Sequence, residues 1–197
     1  TLILDTLTTN NTISSFTNTS SPTVGLQING GSVDVSTLNI NSATGKYLVL
    51  SSHSGVISNS TFTLPDSTTD AVIDIGNTST TFSGTTIVKA TDTNVELTKD
   101  LDIFKVSNYD TAETFPDVKL DSSTEFKLDT NTTEYKLFSN ITFEGSVNCN
   151  GSKFTRDINA NNNCNITLKG DNKIFTNMTL ESCGTLILDT LTTNNTI

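Results

Sequence analysis

Residues 1–13 read TLILDTLTTNNTI, and residues 185–197 read TLILDTLTTNNTI again, thirteen consecutive identities in a 197-residue chain. Agreement of that length does not arise by chance between unrelated segments. The chain is therefore expected to hold one complete unit of 184 residues (1–184) and the start of the next identical repeat (185–197). Repetition at a fixed period is the mark of an array. Two arrangements produce it: near-identical units following one another in a longer polypeptide of which this chain is an excerpt, or subunits that polymerise head to tail through their duplicated ends. Both give a long one-dimensional object.

The quoted segment also contains the pattern that recurs inside the unit. Leu2 and Leu4 flank a single residue, and similar apolar-x-apolar triplets follow at Leu26/Ile28, Leu48/Leu50, Ile73/Ile75, Val95/Leu97, Val118/Leu120, Ile141/Phe143 and Ile166/Leu168, before Leu186/Leu188 restarts the series. Each shows the period-2 alternation of a strand with one buried face, and many are flanked by Asn, Gly, Asp or Ser, which suit turns. Further apolar clusters, such as Val33/Val35, Phe62/Leu64 and Phe126/Leu128, suggest two or three short strands per turn. The spacing predicts an all-β fold, a parallel β-solenoid (right-handed β-helix) of about eight turns of ~23 residues per unit. A hairpin-built sandwich has regular short strands too, but no reason to repeat one apolar pair through a whole unit and then begin again. Stacking at about 4.8 Å per turn would give a rise of roughly 38 Å per unit.

Composition limits what else the chain can be. Only 34% of residues are hydrophobic and Trp is absent, so the core must be thin. A net charge of −10, with Arg156 as the single arginine, argues against nucleic acid, whose phosphates need clustered Lys and Arg. No apolar run approaches the roughly 20 residues that span a bilayer, so no membrane segment is expected within this excerpt.

Asn-x-Ser/Thr sequons occur at Asn10, Asn18, Asn59, Asn77, Asn131, Asn140, Asn150, Asn165, Asn177 and Asn194. They are candidate attachment points for N-linked glycans at exposed turns; equally, Asn and Thr are simply polar residues tolerated on such a surface. Asn140 and Asn165 immediately precede inward-facing Ile residues, which predicts outward side chains. Cys164 and Cys183 precede their triplets by two and three residues, so they fall at nearly the same corner of adjacent turns and are the favoured disulfide pair. Pairing of Cys149 with Cys164, or three buried thiols, are the alternatives. His53, the sole histidine, has no Cys or carboxylate close in sequence and is expected in a surface turn rather than as a catalytic base. Acidic residues concentrate between Asp92 and Glu134, but no D-x-D-x-D-G loop accompanies them, so a solvated face is expected. No metal, cofactor or catalytic residue is predicted.

The turns typified by NITLKGDNKIFTNMTLESCGTLILDTL, residues 165–191, resemble the parallel β-helix class, in particular tandem-repeat adhesin-like extracellular surface proteins and the passenger regions of autotransporters. That resemblance implies a right-handed coil at the cell surface and carries over no functional residue. Polysaccharide hydrolases of the class resemble one another in an N-T-D strand, an Asp-Asp pair, a G-H-G and an R-I-K, none of which occurs here. Thr-x-Thr pairs such as Thr61/Thr63 and Thr91/Thr93 fall at differing offsets from their triplets and form no single flat array, which argues against an ice-binding face. The expected function is a structural repeat of an extracellular, N-glycosylated filament, stalk or surface fibre, with neighbouring copies of the same repeat as partners; the alternative is an adhesin or binding module presenting a receptor- or glycan-binding surface.

Overall fold

The structure is a computed structural model that describes residues 1–8, 10–64, 67–68, 73–76, 79–90, 94–97, 104–108, 117–122, 125–128, 134–156, 160 and 164–197. Every strand pair among them is parallel, in sheets of 13, 5 and 3 strands, and no helix is present among these residues. The fold is a parallel β-solenoid. Its register follows the apolar triplets at the start of the chain: Leu4 lies beside Ile28, Ile28 beside Leu50, and Leu50 beside Ile75.

One coil shows the plan. Ile73–Gly76 lies on a first face, Ser79–Ala90 on a second, bent at Gly84 (φ 70°) so that Ser79–Ser83 and Thr86–Ala90 continue separate ladders, and Asn94–Leu97 on a third, after which Phe104–Asn108 returns to pair with Ile73–Gly76. Early coils run the first two faces together in one bent strand, as in Val24–Val35 and Lys46–Leu64. The bends use left-handed backbone. At Gly31 (φ 91°) a side chain would also run into the Leu7 carbonyl of the coil below, so only glycine permits both the turn and the close stacking.

The longest ladder is on the second face. It passes through Phe16, Leu38, Ser60, Thr86, Val118, Ile141, Ile166 and Leu186, eight rungs separated by seven intervals. Two residues on, Ile40, Phe62, Val88, Leu120, Phe143 and Leu168 stack as a fully buried column. Each such side chain contributes about 1.5–3 kcal/mol by leaving water, yet only because a neighbouring coil covers it. Aromatic rings fill the wider part of the core, with Phe154 stacked 5.6 Å from Tyr135 and Phe175 set 5.7 Å from Phe143.

This arrangement corrects the expected eight turns of ~23 residues: the stack has fewer turns, and coil length varies from 20 residues between Ile166 and Leu186 to 32 between Thr86 and Val118. Asn94–Leu97, which carries the Val95/Leu97 triplet, does not continue the Leu2 ladder. It pairs on the third face with Ser67–Thr68 and Glu125–Leu128, and Phe104–Val106 takes the place beside Ile73–Ile75. The triplets at Val118, Ile141, Ile166 and Leu186 belong to the second-face ladder rather than to that of Leu2. The physical reason is that period-2 alternation marks an inward strand on any face and carries no label for which face it occupies.

Candidate functional site: asparagine corners and open ladder ends

Asparagine side chains hold the corners together. Buried Asn18 donates its amide to the Ser20 carbonyl at 2.9 Å and the Ser42 carbonyl at 2.5 Å, while its Oδ1 accepts the Asn41 N–H at 2.6 Å. Farther along, Asn140 Oδ1 accepts the Asn165 N–H and Asn165 Oδ1 accepts the Thr185 N–H, both at 2.9 Å. These two side chains therefore run along the corner from coil to coil instead of pointing freely outward, because a parallel stack leaves corner N–H groups in need of acceptors. Of the other sequon asparagines, Asn10, Asn59, Asn150, Asn177 and Asn194 are exposed, and Asn77 and Asn131 lie outside the described residues. Replacing Asn18 by alanine is expected to cost about 1–3 kcal/mol, the penalty for stranding buried polar partners, whereas Asn150→Ala should stay within about 0.5 kcal/mol. Urea unfolding midpoints of the two variants check this.

Cys149, Cys164 and Cys183 are all thiols in this structure. Cys164 and Cys183 sit at the same corner of adjacent coils but one residue out of step, since the Gly184 N–H donates to the Cys164 carbonyl at 3.1 Å. Cys164 Sγ lies 3.7 Å from the Leu137 carbonyl oxygen. Burial pushes the Cys149 thiol well above its ordinary pKa, and burial also raises that of Cys183 against the opposing charge of Arg156.

His53 is buried rather than in a surface turn. Its Nε2 is 2.9 Å from the Val33 carbonyl, which can only accept, so the neutral ring donates there and its Nδ1 accepts the Thr80 hydroxyl at 2.6 Å. Burial lowers its pKa, outweighing the Val33 hydrogen bond and the Asp34 charge that raise it. A base whose folded pKa lies below its unfolded value of about 6.5 takes up a proton on unfolding once the pH falls through that value, so stability declines with acidification until the lower folded pKa is passed. The urea midpoint is expected to fall between pH 7 and pH 5, with a smaller fall in His53→Gln; an identical fall in both would place the titrating group elsewhere. Lys173 is likewise buried, with Nζ donating to the Asp171 and Glu144 carbonyls, and burial lowers its pKa. Neither residue carries a local sequence signal for burial, because what encloses each comes from neighbouring coils.

The remaining feature is the pair of ends. The exposed large hydrophobic residues among those described are Ile3, Ile187, Leu188 and Ile197, which belong to the terminal coils, and Ile174 in the coil before the last; Ile3, Leu188 and Ile197 are 55%, 53% and 50% exposed. The two copies of the duplicated segment share the bend that follows their first strand, whereas Asn194 adopts left-handed backbone (φ 59°) and Asn10 does not. Thr6 and Thr190 both adopt φ 50°, and their hydroxyls donate to Asp5 at 3.1 Å and Asp189 at 2.7 Å. Leu2–Leu4 carries Leu26–Ile28 on one edge; Leu186–Leu188 rests on Ile166–Leu168 by the other. Each leaves a strand edge open to further pairing.

Among the described residues, no group of three or more His, Cys, Asp or Glu side chains could hold a metal ion, and no helix is long and apolar enough to cross a membrane. These features define the class as a parallel β-solenoid with open ends. Comparison with family models, with curated proteins and with solved structures finds no match.

Proposed function

We propose that the chain is a structural repeat of an extracellular, N-glycosylated filament or stalk, in which neighbouring copies of the unit, joined covalently or head to tail, continue the ladders. One observation carries this reading: the same thirteen residues are engaged through opposite edges at the two ends. Superposing the two copies yields a strand paired on both sides, which removes the open edge that would otherwise template aggregation and covers the apolar side chains exposed there. Glycans fit the exposed corners at Asn10, Asn59, Asn150 and Asn177. At Asn18 both amide hydrogens are already donated, so a glycan there would break the corner.

Electron microscopy of the native material, combined with mass spectrometry of its glycopeptides, tests the proposal. The expected result is a thin rod carrying sugar at exposed sequons and none at Asn18. Globular particles with every sequon unmodified would count against it.

A further inference from the structure

Building on the reading of the chain as one period of an array, we infer that a unit adds a fraction of a turn to its whole turns, so that each following unit is rotated about the axis by two of the three strand positions that an early coil holds, Leu26–Asn29, Val33–Val35 and Leu38–Ile40. Two sets of strand pairs lead there independently. The first arm of the duplicated segment, Leu2–Asp5, begins the first-face ladder by carrying Leu26–Asn29. Its copy Leu186–Asp189 lies on Ile166–Lys169, in the second-face ladder that runs back to Phe16. The second arm, Asn11–Ile13, carries Val33–Val35 in a ladder of its own, which lies between those of Leu2 and Phe16 and continues through Ile57 to Phe82. In the copy, Thr196 lies on Ile174, whose ladder descends the third face through Asn148, Lys127, Glu96 and Ser67.

Both arms are thus displaced by two ladders in the same direction, the first past the Asn11 ladder and the second past the Phe16 ladder, while the bend between them keeps its φ at Thr6 and Thr190. The partner that fits the open end is the following unit. Its Leu26–Asn29 would lie on Leu186–Asp189 and its Val33–Val35 on Asn195–Ile197, covering Leu188 and Ile197, which are exposed in this chain. The match continues apolar upon apolar, giving Ile166, Leu186 and the next Leu26 in one row and Leu168, Leu188 and the next Ile28 in the other. The Leu2 ladder of the next unit grows from the Phe16 ladder of this one, and its Asn11 ladder from the third face.

The seven intervals between Phe16 and Leu186, with the added fraction, give a rise of about 37 Å per unit at about 4.8 Å per coil. Phase returns after three units of a three-faced coil, about 110 Å along the axis. Any exposed side chain, Asn59 for example, recurs on a different side in each of three successive units, so the rod presents the same surface in every direction.

Electron cryo-microscopy of a chain carrying six consecutive 184-residue units tests this inference. The expected symmetry is a rotation of roughly two-thirds of a turn in the direction of the coil, which equals a third of a turn against it, for each unit rise of about 37 Å. A rod whose units superpose by translation alone, or by a rotation far from a third of a turn, overturns the inference and leaves the filament reading standing. Separate beads with no common axis overturn the filament reading and the rotation with it.

Discussion

Phe143→Ala is expected to lower the unfolding free energy of the chain by about 3–5 kcal/mol, the usual cost of emptying a buried aromatic site. Phe143 is fully buried, pairs with Leu120 below and Leu168 above, and meets the Phe175 ring edge-on. A solenoid is held by contacts between successive coils, so a cavity in the middle of the column weakens two of these interfaces at once. Thr142, in the same strand with its side chain on the opposite side, should tolerate alanine within about 0.5 kcal/mol. Urea unfolding of both variants reads the difference directly. A loss below about 1 kcal/mol at Phe143 would mean that the column is not packed as described.

Leu188→Asp is expected to have opposite outcomes in two settings. In this chain Leu188 is half-exposed on the last coil, so the carboxylate stays in water and stability hardly changes. In a chain of two consecutive units the same residue lies between Leu168 and Ile28 of the following unit. There an unpaired carboxylate costs several kcal/mol, enough to uncouple the units. Calorimetry of the two-unit chain should show one cooperative transition, and the Leu188→Asp variant two. Leu168→Asp, already buried here, should unfold even the single unit. A two-unit chain that melts identically with and without Leu188→Asp would show that no ladder crosses the boundary.

The stacking of Leu4, Ile28 and Leu50 is legible in the sequence because apolar-x-apolar strands recur at near-constant spacing, and only a coil explains that recurrence. Assignment of each triplet to a face is not legible. Val95/Leu97 has the same pattern as Ile73/Ile75 yet its strand sits on the third face, because the intervening turns absorb the length difference without altering the local alternation. The asparagine corners are half legible. Asn140 and Asn165 stand immediately before inward strands, but that their Oδ1 atoms bond the next coil depends on a neighbour 20 or more residues away. Asn18 reads as a sequon like Asn59, and only the Ser42 and Asn41 backbone of the following coil distinguishes it. His53 shows the same limit: the groups that bury and bond it, Val33 and Thr80, come from the coils on either side.

Parallel stacking in register is tested most directly by distances between spin labels on the middle residues of the second-face triplets. One label at Thr17 is combined in turn with a second at Lys119, Thr142, Thr167 or Ile187, which stand four, five, six and seven rungs away. The distances should climb evenly, at about 19, 24, 29 and 34 Å for a spacing near 4.8 Å. Values that level off or fall back as the second label moves toward Ile187 would describe a closed body and contradict the solenoid.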